Sequence, residues 1–275
     1  MSREFEHKVV VVTGGSRGIG RAIAKAFARE GAQTVIAASS PQNLLEAAES
    51  IGKAGGPPAV TDANVAVGKL IPDFFPKIFG PQEKCEGLFE LVHSRFGRCD
   101  ALVNCAGATK AGNFLELYDE EWRDGFALKF YAAVRLSRLF WPMLKTAKGN
   151  IVNIVGGGAR TPQQTFLIGG AVNAALANFS KGLADLGKRD GVNVNVIHPG
   201  LTETERFFEL MESHARAYGI SREEAIKRAI DKTGSSRIAK PEDVAELALF
   251  LCSKRGAHIH GTAIAVDGGA TPGVY

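Results

Sequence analysis

The stretch from Lys8 to Ala28, KVVVVTGGSRGIGRAIAKAFA, restricts this chain to very few folds. Val9 to Val12 are four β-branched residues in a row with Thr13 next. That is the pattern of a short strand buried on both faces, as in a parallel sheet. Gly14, Gly15, Gly18 and Gly20 follow at once, and a helical pattern begins inside them, with Ile19, Ile23, Ala26 and Phe27 on one face. Strand, glycine-rich turn and helix N-terminus make an anion site, because backbone N–H groups point outward and the helix dipole favours a diphosphate. Glycine also lets the backbone approach phosphate with no Cβ in the way. A glycine motif alone would equally suit an empty βα turn; its place between a buried strand and an amphipathic helix favours the diphosphate.

Strands and helices then alternate to the end of the chain. Strand patterns are expected at Thr34 to Ala38, Ala59 to Ala63, Ala101 to Cys105, Asn150 to Val155, Val192 to Ile197 and Ala263 to Val266. Helical patterns are expected at Pro41 to Ile51, Glu83 to Phe96, Glu120 to Leu144, Ala171 to Leu186 and Pro241 to Cys252. Strict alternation predicts a doubly wound parallel α/β sheet, a Rossmann fold. With no internal repeat and no linker, residues 1–275 read as a single domain, and apolar residues at 45% supply its core. A net charge of +4 with no dense basic run argues against a nucleic-acid partner. No apolar stretch reaches the length of a membrane span, and the charged start MSREFEHK does not resemble a signal peptide. Cys85, Cys99, Cys105 and Cys252 show no C-x-x-C spacing, so reduced thiols and a cytoplasmic location are expected.

Two segments stand outside the alternation. Gly68 to Pro81, GKLIPDFFPKIFGP, has prolines spaced to prevent a long helix, yet it is too apolar for a free loop. It should pack on the domain or on a partner subunit. Thr202 to Ser235 reads as one or two amphipathic helices with Phe207, Leu210, Met211 and Tyr218 as apolar positions. It follows the C-terminal end of a strand, where ligands bind in open α/β sheets. It is either a mobile lid over the ligand or an ordinary packing segment.

Together these residues resemble the short-chain dehydrogenase/reductase family. Thr13-Gly14-x-x-x-Gly18-Ile19-Gly20 is similar to its fingerprint, and Asn104-Cys105-Ala106-Gly107 to its Asn-Asn-Ala-Gly motif. Ile151 to Ile154, Asn195 to Gly200 and Val266-Asp267-Gly268-Gly269 follow in the family's order, and 68–81 looks like an insertion. The resemblance implies an NAD(P)-dependent oxidoreductase acting on a small-molecule alcohol or carbonyl, as a homodimer or homotetramer. The subunits would join through the helices at Glu120 to Leu144 and Ala171 to Leu186. The resemblance also implies a cofactor held by Gly14, Ser16, Arg17, Gly18, Ile19 and Gly20, by Ser39 and Ser40, and by Asp62 and Ala63. Asn104, Ala106, Gly107, Pro199, Gly200 and Thr202 complete that set. NAD-specific sites usually end the second strand in Asp or Glu. Here that place reads Ala37-Ala38-Ser39-Ser40, and Arg17 adds positive charge, which favours NADP over NAD.

The family's chemistry rests on an Asn, a Ser, a Tyr and a Lys. By the resemblance those places fall here on Lys129, Gly156, Gly169 and Asn173, and no Tyr-x-x-x-Lys occurs anywhere in the chain. Glycine has no proton to give, and Gly156 and Gly169 would leave empty volume beside the nicotinamide for substrate, water or a neighbouring side chain. Lys129 is the one substitution that brings acid–base chemistry, because burial lowers a lysine pKa. It would act as proton donor in a rebuilt site, or else reach solvent or pair with an acid. The sequence leaves three functions open: a reductase, a cofactor-binding protein without turnover, and a lyase or isomerase on the same scaffold. Arg160, Thr161, Gln163, Gln164, Thr165 and His198 fall near the same region. His258 and His260 lack a third metal ligand at a suggestive spacing and read as structural.

Overall fold

A computed structural model describes residues 3–54 and 82–272 of the chain. The expected third strand Ala59 to Ala63 and the segment Gly68 to Pro81 lie outside the described residues.

The valine run forms β1 (Val9–Thr13), buried along its whole length. Beside it lie β2 (Gln33–Ala37), β3 (Ala101–Asn104), β4 (Asn150–Ile154), β5 (Asn193–Pro199) and β6 (Ala263–Val266). The six strands are all parallel, in the order β2-β1-β3-β4-β5-β6. The chain leaves β1 toward β2 and later returns to the other side of β1 for β3. Right-handed crossovers therefore put helices on both faces. α1 (Gly18–Arg29) and α2 (Pro41–Gly52) pack with α9 (Pro241–Cys252) on one face, and α3 (Gln82–Phe96) packs with the later helices on the other. Thr13 stands opposite Asn104, and Asn104 opposite Asn153, so the strands end level at the crevice where the strand order reverses.

The expected helix at Glu120 to Leu144 is not uniform. α4 (Asp119–Gly125) runs into a π-helical segment, Phe126–Tyr131, and then α5 (Ala132–Ala147). Such wide turns concentrate at functional sites, because they rotate one residue out of the regular helical face. α6 is longer than expected, Leu167–Asp190. The segment after β5 forms two helices, α7 (Glu205–Tyr218) and α8 (Arg222–Thr233). With Ile238 from the segment after them, they form a small apolar core of their own from Phe207, Met211, Ala215 and Ala225. Leu210 and Tyr218, expected on the apolar face, are exposed, because α7 buries only a narrow stripe. No helix among the described residues is long and apolar enough to cross a membrane.

At the opposite, N-terminal ends of the strands, Asp100 ties β1 to β3. Its carboxylate accepts the Val9 N–H at 2.9 Å and a two-point contact from Arg98 at 2.6 and 2.7 Å, with Lys8 at 3.1 Å. Burial alone would raise the Asp100 pKa; Arg98, the Val9 N–H and Lys8 outweigh it and hold the pKa below the usual value. A depressed carboxylate contributes stability above its unfolded pKa and loses it as pH falls through the folded one. Asp100→Ala should therefore cost about 1–3 kcal/mol at pH 7, since it strands a buried N–H. Urea midpoints at pH 7 and pH 3 should show the difference between variant and wild type shrinking in acid; an equal difference at both would refute this role.

Candidate functional site

The turn after β1 is built from closely packed backbone. Gly14 adopts φ +68° and donates its N–H to the Ala37 carbonyl at 2.6 Å. A Cβ on Gly14 would stand 3.0 Å from the Ala106 backbone, and one on Gly20 would overlap the Gly14 carbonyl. The turn therefore needs glycine at both positions. The Thr13 hydroxyl oxygen accepts the N–H groups of Cys105 and Ala106, each at 3.1 Å, and braces the ends of β1 and β3. α1 begins at Gly18 on this brace, with Arg17 as its extended N-cap residue, and Ser16 is buried beneath it. Ile19 packs against the core. The Gly18 N–H is donated to Glu205 at 3.1 Å, while those of Ile19 and Gly20 belong to the same first turn, which has no intrahelical acceptor.

At the end of β2, Ala37 and Ala38 are buried and Ser39 is exposed. Ser40 caps α2, its hydroxyl oxygen accepting the Asn43 N–H at 3.2 Å. Arg17 is also exposed. The glycine turn, the first turn of α1 and the end of β2 thus come together at the C-terminal ends of the strands, where a dinucleotide fits. Asp62 and Ala63 lie outside the described residues. Asn104 turns inward. Its amide donates to Asn153 at 2.8 Å, Asn153 donates to Ser180 at 2.7 Å, and the Asn104 Oδ1 is left buried without a hydrogen-bond partner.

Lys129 sits in the π-helical segment, with its stem laid over Gly107. A Cβ at residue 107 would come within 2.9 Å of the Lys129 Cδ, so the glycine makes the groove in which the stem lies. The residue is half-buried, and its pKa is lowered to about 8 by burial, against the nearby Cys105 thiol and with help from the charge of Arg206. No carboxylate among the described residues pairs with it. Burial pushes the Cys105 thiol up to about 12, so at neutral pH it is uncharged.

The expected void at Gly169 is filled. The Phe166 ring lies directly over the Gly169 Cα, where a Cβ would overlap it, and the ring stands 3.4 Å from where a Cβ on Gly158 would be. Asn173 is buried, and its Oδ1 accepts the Gly156 N–H at 3.1 Å, pinning the end of β4 to α6. Sequence reading missed Phe166. The only signal was an aromatic residue three positions before a glycine.

At the end of β5, His198 is buried, and its pKa is lowered by burial and then by Arg160. Beyond Pro199, the Gly200 N–H donates to Val266 at 2.9 Å. The Thr202 hydroxyl bonds the Gly200 carbonyl at 3.0 Å and is buried. Thr204 instead faces the crevice edge, capping α7 and packing 3.0 Å from the Cβ position of Gly18. Glu205 bonds Arg21 at 2.6 Å, and Arg206 reaches the Thr109 carbonyl at 3.3 Å. The first turn of α7 thus straddles the crevice, touching both the β1 turn and the loop after β3. Arg160 donates to the Ala263 carbonyl at 2.9 Å, while Thr161, Gln163, Gln164 and Thr165 are exposed. His260 joins the Val194 N–H and the Ala184 carbonyl, a structural role.

A family model described as enoyl-(acyl carrier protein) reductase matches residues 14–271. The uncharacterized oxidoreductase YvrD of Bacillus subtilis is 31% identical over 274 residues, 98% of each chain. The 3-oxoacyl-(acyl-carrier-protein) reductase of Escherichia coli is 32% identical over 269 residues, 96% of this chain and 98% of its own. The solved structure of L-sorbose reductase from Gluconobacter frateurii, complexed with NADPH and L-sorbose, has a TM-score of 0.88 and 32% identity over 100% of both chains.

Proposed function

Because this chain belongs to the short-chain dehydrogenase/reductase family, we propose that it is an NADP-dependent oxidoreductase of carbonyl and alcohol substrates with a rebuilt active site. The observation that carries this reading is Lys129, an ammonium with no carboxylate partner among the described residues, held over Gly107 near the glycine turn. NADPH, when bound, supplies the hydride. Lys129 donates a proton from Nζ to the substrate oxygen as charge develops there, the task of a general acid. With a pKa of about 8 it is mostly protonated at neutral pH and gives its proton up readily. Its partly exposed position lets solvent return the proton. Phe166 replaces a hydroxyl-bearing wall with an apolar ring and keeps water from that side.

The absence of Tyr-x-x-x-Lys favours a second reading, a cofactor-binding protein without turnover. Fluorescence titration with NADPH and NADH, followed by a carbonyl panel monitored at the nicotinamide absorbance, separates the two. Selective NADPH binding with turnover supports the first reading, and binding without turnover supports the second. Failure to bind either dinucleotide refutes both. Ser39→Asp should lower NADPH affinity at least about tenfold while leaving NADH affinity unchanged or better, because like charges juxtaposed at a site cost at least ~1.4 kcal/mol. Equal losses for both cofactors would remove Ser39 from the 2′-phosphate seat. Tyr131 of the π-helical segment and Ala174 of α6 are exposed. This supports a homodimer or homotetramer through those helices, which sedimentation would test.

A further inference from the structure

We propose that the substrate carries an anionic group, a carboxylate or a phosphate, close to its carbonyl, and that Arg206 in the first turn of α7 receives it. This rests on the reductase reading and deepens it. Two cations converge on the five residues Cys105 to Thr109. The Lys129 stem lies on Gly107, and the Arg206 guanidinium meets the Thr109 carbonyl at 3.3 Å. Neither is paired with a carboxylate among the described residues. Lys129 feels the Arg206 charge as a repulsion. The carboxylate nearest to Arg206 in the chain, Glu205, is turned away and engaged by Gly18 and Arg21. Cys105 is neutral and supplies no counter-charge.

A guanidinium has five N–H donors, and here one long contact uses a single donor. Its planar fork suits two-point recognition of carboxylate or phosphate. Two like charges at a half-covered crevice repel one another, and an anionic substrate would remove that repulsion. Arg206 sits in the first turn of α7, at the end of a helix pair with its own small core. The proton still comes from Lys129; Arg206 is a specificity-determining residue that orients the carbonyl toward it.

The test is steady-state reduction by the full chain with NADPH, using a graded series of 2-oxo acids against their methyl esters. Dihydroxyacetone phosphate against dihydroxyacetone forms the phosphate arm. One anionic form should show a KM at least tenfold below its neutral counterpart, and the better arm identifies the anion. Arg206→Met should raise that KM at least tenfold while the neutral substrate moves less than twofold, and Arg206→Lys should recover part of the loss. Arg206 is exposed, so neither variant endangers the fold. Neutral forms used as well as anionic ones, or equal effects of Arg206→Met on both, would overturn the proposal. If nothing is turned over, the reductase reading falls. Calorimetry with the same pairs then decides the anion site, which stands if an anion binds at least tenfold tighter than its neutral partner and otherwise fails.

Discussion

Lys129→Met lowers the rate of carbonyl reduction by about 10²–10³-fold and leaves NADPH affinity within about twofold. The substitution keeps the length of the stem, so the groove over Gly107 stays filled and only the proton donor is lost. The pH profile gives an independent readout. The acid form of Lys129 is depleted above pH of about 8, so kcat/KM for reduction should fall there. Oxidation of the corresponding alcohol needs the neutral amine, so its rate should rise through the same range. Lys129→Arg keeps the charge but titrates far higher, and should flatten both limbs at much reduced rates. An unchanged rate in Lys129→Met would take Lys129 out of the chemistry and leave the family fold with some other acid or none.

Gly169→Tyr, the obvious attempt to restore a tyrosine, should destabilise the protein by about 1–3 kcal/mol without raising activity. The Phe166 ring already occupies the space over Gly169, so any Cβ there displaces the ring or the helix start. Adding Asn173→Lys should deepen the loss, because it removes the acceptor of the Gly156 N–H. Phe166→Gly combined with Gly169→Tyr should recover most of the stability lost by Gly169→Tyr alone. Thermal midpoints of wild type, Phe166→Gly, Gly169→Tyr and the double variant measure this coupling, which belongs to residues in direct contact. Additive effects would mean that the ring moves aside freely and is no fixed wall.

The two predictions differ in how far a reader of the sequence would reach them. Lys129 is legible because the helix that carries it can be placed in register by the motifs on either side. Its groove over Gly107 is not, since the two residues meet only once β3 and the π-helical segment pack together. Phe166 and Gly169 lie three apart, as neighbours on a regular helix do. Yet Phe166 precedes α6 with φ −134° and ψ 38°, so its ring folds back onto Gly169, where helical spacing would not carry it. The contact between Glu205 and Gly18 spans 187 positions, and nothing local hints at it.

By itself, the order of residues determined the parallel sheet, the glycine turn, the carboxylate-free end of β2 and the missing Tyr-x-x-x-Lys. These are properties of short stretches: β-branched runs bury on both faces, glycines free a turn, and an absent side chain is absent in any fold. The tertiary structure alone decided which groups face the crevice. It turned Thr202 inward and Thr204 to the edge, closed Gly169 with Phe166, and left Lys129 and Arg206 facing one loop without a counter-charge among the described residues. Those outcomes depend on distances between distant segments and on burial, which exist only after the sheet and its helices have packed.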